Sequence, residues 1–173
     1  WNNRRWGTLV NLPDGQAKLG FPFVTEDRIL IDERAGYYFY ATALPKTLGG
    51  GSFYLTGWRD QNDKLFDGTS TYRLRVPKDT PAKDFWSIIV YSMKTKGFVE
   101  GAPRVGISSK DLGKMKVNAD GSADIYFAPK APAGLESNWI PTGEDFFLIF
   151  RLYGPEKPLF DKSWTLDDVE KVK

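Results

Sequence analysis

The chain has 173 residues, enough for one domain that buries roughly 70% of its unfolded surface without disulfides or a metal. Its 24 Lys and Arg against 22 Asp and Glu leave a net charge of +2, and the scattered charges predict neither nucleic-acid binding nor a polybasic membrane anchor. Cysteine and histidine are absent, which excludes Ser-His-Asp and Cys-His catalysis and His or Cys zinc sites within the chain. We therefore expect no metal centre and no cofactor, and any catalytic group would be a carboxylate, a lysine, a tyrosine or a lysine-activated serine.

The apolar runs are of strand length. Ile88 to Tyr91 and Phe146 to Phe150 are examples, far below the ~20 residues that would cross a bilayer. We expect a soluble protein with no membrane span, for which a periplasmic or secreted location fits and the lack of cysteine decides nothing. The start at Trp1, without the pattern of a signal peptide, predicts a fragment or a processed form.

The first fifty residues predict an extended segment followed by a helix. Turn formers such as Pro13-Asp14-Gly15 punctuate residues 1–25. Thr25, followed by two acidic residues, has the character of a helix N-cap, and the pattern then predicts a helix over 26–44 that ends before Pro45. Tyr37 to Tyr40 would also suit a strand.

After Gly49-Gly50-Gly51 the pattern changes to alternating polar and apolar residues, typical of antiparallel strands. We expect a mainly β chain, folded as an antiparallel β-sandwich of jelly-roll type, with a short C-terminal helix after Thr165. The predicted strands are Ser52 to Trp58, Thr71 to Val76, Phe85 to Met93, Arg104 to Ser108, Lys114 to Val117, Ser122 to Ala128 and Phe146 to Tyr153.

Asn118 to Gly121 predicts a tight hairpin turn, because Asp-Gly readily adopts the positive φ angles that such a turn needs. With Asp124, the same residues also have an acidic spacing that could hold calcium. The turn is the better interpretation, since the bidentate glutamate of an EF-hand loop is missing.

An ordered series of motifs resembles the DUF1214 family of C-terminal domains, which commonly follow a DUF1254 domain in bacterial proteins and in some algal-virus proteins. The motifs are Asp63, Gly68 and Tyr72, Phe85-Trp86-Ser87 with Tyr91, Asn118-Asp120-Gly121-Ser122, Ile125-Tyr126, Asn138-Trp139 with Pro141, Arg151 to Pro155, and Trp164. They cover roughly two thirds of the chain.

The resemblance implies a jelly-roll-like sandwich over residues 51–173. Residues 1–50 would be the lead-in and helix that connect it to a missing upstream DUF1254 domain. No activity is established for such domains. Likeness to jelly-roll glycan-processing enzymes makes a glycan or another small molecule a candidate ligand, but only by analogy of fold.

Two tryptophans and one asparagine are candidate ligand contacts. Trp86 and Trp139 have flat faces that can stack on a sugar ring, and Asn138 could orient a hydroxyl. A tryptophan inside the run Phe85 to Tyr91 is more typical of a core, whereas Trp139 is predicted to lie on a loop, where functional groups concentrate.

Arg151 and Tyr153 are the other candidates. Strand alternation places both with Phe147 and Ile149 on one face, opposite an entirely apolar face. A guanidinium among such neighbours indicates a structural ion pair, a solvated sheet face, or the recognition of an anion or carboxylate.

Two classes of function stay open. One is a non-catalytic module that binds a ligand or packs on the upstream domain, and the aromatic content also leaves self-association into a homo-oligomer open. The other is a hydrolytic enzyme for carbohydrates or amides, with its site shared with the upstream domain. Glu136, Glu144 and Asp145 flank Asn138-Trp139 and could supply a carboxylate pair. The lysines Lys78, Lys83, Lys94 and Lys96 could attract an acidic ligand, though a solvated rim is the better explanation, because they are spread over strand ends.

Overall fold

The computed structural model describes residues 1–8, 27–32, 35 and 51–172. This part of the chain is mainly β, with a short helix α1 at Lys157–Phe160 and two 3-10 turns at Ser109–Lys114 and Glu136–Asn138. Its strands are β1 (Gly7–Thr8), β2 (Ser52–Gly57), β3 (Thr71–Val76), β4 (Ala82–Ser92), β5 (Gly106–Ser108), β6 (Ala123–Ala128), β7 (Trp139–Pro141), β8 (Phe146–Pro155) and β9 (Glu170–Val172).

The strands form two sheets. The five-stranded sheet has the order β1-β2-β8-β4-β5, and all its pairs are antiparallel. The four-stranded sheet has the order β7-β6-β3-β9, in which only β6 and β7 run parallel. β8 is the central strand of the five-stranded sheet, since β2 and β4 flank it along most of its length and leave it no open edge.

The core lies between the two sheets. Leu148, Phe150 and Leu152 of β8 are fully buried, as alternation predicts for one face of this strand. Phe146 reaches the opposite sheet, with its ring centroid 5.8 Å from that of Tyr72 and 6.2 Å from that of Phe127. Each such side chain contributes roughly 1.5–3 kcal/mol by leaving water, so this layer holds the two sheets together.

The mainly β prediction is confirmed, and the strands over 52–57, 71–76 and 146–155 lie where alternation placed them. The strand predicted at Lys114 to Val117 is wrong, because a 3-10 turn ends at Lys114. The backbone N–H and C=O of Lys116 then bond to the Asn138 side chain instead of a strand ladder. The turn at Asn118 to Gly121 is present, with Gly121 at φ +84°, but it joins this irregular segment to β6.

The helix predicted after Thr165 is also wrong. The buried Leu166 and Val169 are spaced as on a helix, yet the chain reaches the edge of β3 and pairs there as β9, with Glu170 opposite Arg73. The sheet offers unpaired backbone groups at that edge, and those bonds decide the conformation. The predicted helix over 26–44 lies mostly outside the described residues, and the jelly-roll arrangement stays a prediction.

Candidate functional site

Ten side chains form what we call the cationic aromatic face, on the side of the five-stranded sheet that points away from the core. It is built on the outward positions of β2, β4 and β8, where Tyr54, Arg151 and Ser87 are cross-strand neighbours. The face consists of Tyr54, Trp58, Phe85, Tyr91, Lys96, Phe98, Lys110, Phe147, Arg151 and Tyr153.

Four rings form a continuous row at one end of this face. Trp58 and Phe147 are stacked, with centroids 4.3 Å apart and planes 7° apart. Tyr91 lies 5.3 Å beyond Phe147, and Phe98 lies 5.4 Å beyond Tyr91. The Phe98 side chain is 55% exposed, so the row ends in a large apolar group in contact with water.

A second aromatic pair lies at the other end. Phe85 and Tyr153 are opposite each other in β4 and β8 and stack with centroids 4.2 Å apart. The ammonium group of Lys110 is 4.3 Å from the centre of the Phe85 ring. Phe147 and Tyr153 are six residues apart on β8, so the two aromatic groups are separated by roughly 20 Å at about 3.3 Å per residue.

Arg151 lies between these two groups. Its guanidinium carbon is 5.7 Å from the centre of the Tyr54 ring and 5.9 Å from that of Tyr91, which is within the range of cation–π attraction. Its Nη2 donates a hydrogen bond to the Tyr91 hydroxyl. Its Nε is buried and has no hydrogen-bond acceptor among the described residues.

The three cations of this face all lie against aromatic rings. Lys96 lies 5.9 Å from the centres of both the Trp58 and Phe147 rings, Lys110 lies on Phe85, and Arg151 lies between two tyrosines. Within the described ranges, no carboxylate is within ion-pair distance of any of the three. Among the residues that the structure describes, ring faces rather than carboxylates lie against these three positive charges.

The outer face of the four-stranded sheet is arranged in the opposite way. Arg73 donates to Glu170 at 2.6 Å, and the Asp124 carboxylate lies 3.9 Å from Arg73 and 3.5 Å from Arg75. Both arginines are 39–51% exposed. Paired charges at this exposure are typical of a sheet face in water.

Burial raises the pKa of the Tyr91 hydroxyl above its ordinary value. Arg151 opposes this rise in pKa, and Tyr153 and Tyr54 add to it. Tyr54 lies opposite Arg151 in β2, and Tyr153 lies two residues from Arg151 on the same face of β8.

Two of the five residues predicted as ligand contacts lie on this face, namely Arg151 and Tyr153. Trp86 is only 5% exposed and stacks on Phe150 in the core, 5.6 Å between centroids. Trp139 is half-buried on the other sheet, opposite Tyr126, and its indole N–H donates to the Ala128 carbonyl at 2.9 Å.

The Asn138 side chain forms hydrogen bonds to the backbone of two other segments of the chain. It is 1% exposed, and its side-chain oxygen accepts from the Lys116 N–H and the Ser137 hydroxyl. Its amide nitrogen donates to the carbonyls of Lys116 and Asp124. With its hydrogen-bonding groups used in this way, Asn138 lies within the protein rather than in an open site.

The acidic turn is likewise occupied by its own contacts. Asp120 accepts hydrogen bonds from the backbone and hydroxyl of Ser122, and Asn118 donates to that hydroxyl, while Asp124 faces Arg73 and Arg75. The described residues contain no group of three or more side chains that could hold a metal ion. Nearby, Glu136 accepts from the Gly134 N–H and Asp145 from that of Gly68.

The sequence interpretation missed Tyr54, Trp58 and Lys110 as members of the face. Alternation within β2 places Tyr54 on the same side of the strand as Ser52 and Thr56. Nothing in the local pattern shows that β2 is the neighbour of β8, since about a hundred residues separate the two strands. The pairing of β2 with β8 was therefore the information that the sequence did not supply.

Comparisons with known proteins place the chain in a family and give no activity. A crystal structure of the VPA0106 protein from Vibrio parahaemolyticus is similar with a TM-score of 0.66 and 21% identity, over 80% of this chain and 34% of that one. An uncharacterised protein from Burkholderia cenocepacia has a TM-score of 0.41 and 16% identity, over 70% of this chain and 29% of that one. The chain thus spans about a third of the length of these proteins.

No curated protein matches the chain. Among the described residues, no helix has the length and apolar character needed to cross a membrane. The family described as "Protein of unknown function (DUF1214)" matches residues 51–157, more than half of the sequence. The chain therefore belongs to the DUF1214 family.

Proposed function

We propose that this chain is a non-catalytic binding module, and that its cationic aromatic face is covered by an upstream domain of the parent protein. The observation that carries the proposal is the contrast between the two outer faces. On the four-stranded sheet, Arg73 and Arg75 are matched by carboxylates. On the five-stranded sheet, three cations lie on aromatic rings and no described carboxylate pairs with them.

The composition of the face supports a protein partner. Aromatic residues and arginine are enriched in the buried centres of interfaces, and the row of rings on this face ends in Phe98, a large apolar side chain that is 55% exposed. The positive charges favour a partner surface with acidic groups. The much greater length of the similar VPA0106 chain supports a parent protein with further domains, for which a DUF1254-type domain is the candidate.

A free ligand is the second candidate for the same face. The two aromatic groups could stack on sugar rings, and Arg151 could bind an acidic substituent. A hydrolytic role receives less support, because two of the flanking carboxylates, Glu136 and Asp145, already accept backbone N–H groups. We therefore favour docking of the upstream domain over both the binding of a free ligand and a hydrolytic role.

Hydroxyl-radical footprinting with mass spectrometry tests the proposal. We expect oxidation of Trp58 and Tyr91 to be at least about threefold slower in the full-length parent than in this chain alone, because the upstream domain would exclude solvent. Tyr126 and Trp139, on the opposite sheet, are the matched controls and should react equally in both. Equal oxidation of Trp58 and Tyr91 in the two proteins would contradict the proposal.

A further inference from the structure

Arg151 is the cation on the cationic aromatic face that has a buried hydrogen-bond donor without an acceptor among the described residues. A guanidinium carries five N–H groups, and Nη2 donates to Tyr91. Nε is buried and has no acceptor among the described residues. A buried charged donor without an acceptor is costly, so this geometry calls for an acceptor from outside the described part of the chain.

The surroundings of Arg151 suit an anion. Tyr54 lies directly across from Arg151 in β2, Tyr91 is bonded to it, and Tyr153 is two residues further along the same face of β8. Each tyrosine adds a phenolic hydroxyl that can donate a hydrogen bond to an anion. One fixed positive charge, with one tyrosine hydroxyl bonded to it and two further tyrosines beside it, is complementary to one oxyanion.

A carboxylate fits this arrangement in both charge and shape. It carries one negative charge, which matches the one guanidinium. Its two oxygens can accept parallel hydrogen bonds from the planar guanidinium, a geometry that lysine does not offer. The flanking aromatic groups at Phe147 and Tyr153 would exclude water from such a pair, and a less hydrated pair is stronger.

We infer that Arg151, with Tyr54, Tyr91 and Tyr153 around it, binds the carboxylate of an Asp or Glu side chain carried by the upstream domain. The inference rests on the docking role proposed above, and it adds the chemistry that the domain recognises at the centre of the face. Apolar contacts at the two aromatic groups and one central ion pair would together set the position of the partner.

Zero-length cross-linking in the full-length parent protein tests this assignment. The variant Arg151→Lys keeps the positive charge and gives an amine that a carbodiimide can join to an adjacent carboxylate as an amide. We expect mass spectrometry to find position 151 linked to an Asp or Glu of the upstream domain.

The variant Arg75→Lys is the matched control. Arg75 lies 3.5 Å from the Asp124 carboxylate on the opposite sheet, so position 75 should be linked to Asp124 within the domain. If that control link forms and position 151 is linked to no residue upstream, the inference is overturned. Slower oxidation of Trp58 and Tyr91 in the same parent would then still support docking, so the two ideas fail separately.

A titration of the unmodified chain provides a second measurement, which also decides the matter if Arg151→Lys does not fold. Phenylacetate combines a carboxylate with an aromatic ring, and benzyl alcohol is its uncharged counterpart. We expect up to 50 mM phenylacetate to shift the Arg151 Nε–H resonance at least about fivefold more than the same concentration of benzyl alcohol. Equal shifts, or none from either probe, would overturn the inference. Binding of phenylacetate without a link to the upstream domain would overturn the assignment of the carboxylate to that domain.

Discussion

The side-chain amide of Asn138 pairs with the backbone of Lys116 in both directions. Its oxygen accepts the Lys116 N–H at 2.8 Å, and its nitrogen donates to the Lys116 carbonyl at 2.8 Å. The same nitrogen donates to the Asp124 carbonyl at 2.9 Å. One buried side chain thus joins the segment before the acidic turn to the start of β6 and to β7.

Replacing Asn138 by alanine should therefore destabilise the fold. We expect Asn138→Ala to lower the free energy of unfolding by about 2–4 kcal/mol, because buried backbone groups lose their partners. Urea unfolding at pH 7 provides the measurement. Asn62, whose side chain is exposed, is the control, and Asn62→Ala should change the free energy by less than about 0.5 kcal/mol. Similar losses in the two variants would contradict a bridging role for Asn138.

Gly68 should tolerate no side chain. A Cβ at this position would lie 2.3–2.4 Å from backbone atoms of Glu144, and backbone cannot give way as a flexible side chain does. We expect Gly68→Ala to lower the free energy of unfolding by about 3 kcal/mol or more. At Gly113 nothing lies within 4 Å of an added Cβ, so Gly113→Ala should be nearly neutral. Equal midpoints of urea unfolding for the two variants would show that the close approach is absent.

Asp67 should make stability depend on pH in the acid range. Burial alone would raise the pKa of its carboxyl, but hydrogen bonds from Thr69, Ser70, Lys171 and Tyr72 together lower the pKa well below its usual value. Since the folded pKa is the lower one, the stabilisation is present above about pH 4, and it is lost as the pH falls through the folded value. The advantage of the unmodified chain over Asp67→Asn should shrink between pH 6 and pH 2 in urea-unfolding experiments. A difference in unfolding free energy that stays constant over this range would contradict a lowered pKa for Asp67.

Tyr72 should have the opposite dependence in the alkaline range. Burial raises the pKa of its hydroxyl to about 12, whereas the unfolded chain has a value of about 10. The stabilisation by the neutral phenol is therefore complete below about pH 10 and is lost as the pH rises towards 12. Tyr72→Phe removes this hydroxyl, so its unfolding free energy should fall less steeply between pH 9 and 11.5 than that of the unmodified chain. Parallel curves for the two proteins would show that Tyr72 does not titrate in this way.

Trp86 should behave as a core residue. Its stacking on Phe150 at 5% exposure predicts a loss of about 3–5 kcal/mol in unfolding free energy for Trp86→Ala. The milder Trp86→Phe should leave the response of the Arg151 Nε–H resonance to phenylacetate unchanged, because the two side chains lie on opposite faces of the sheet. A response reduced by Trp86→Phe, in a variant that remains folded, would instead favour a ligand contact at Trp86.

Local patterns in the sequence predicted what depends on a single strand. Alternation in β8 placed Leu148, Phe150 and Leu152 on a buried face and Arg151 with Tyr153 on the other, and both are observed. This works because side chains in a strand point to alternate faces whatever the neighbouring strand is. The ordered motifs also identified the family correctly.

Where the prediction was wrong, distant parts of the chain compete for the same backbone groups. Lys116 bonds to Asn138, twenty-two residues later, and so does not form a strand. The tail pairs with the edge of β3 as β9, although its local pattern suits a helix equally well. In both cases hydrogen bonds to a remote partner outweigh a weak local preference.

The sequence alone determined that this is a mainly β chain without histidine or cysteine chemistry, and that Arg151 shares a strand face with Tyr153. Only the tertiary structure decided that β2 and β4 flank β8, which brings Tyr54 and Tyr91 to the guanidinium. It also decided that Arg73 and Arg75, on the opposite sheet, have carboxylate partners. Composition and period are local properties that a sequence displays directly, whereas strand order and register depend on the packing of the whole core.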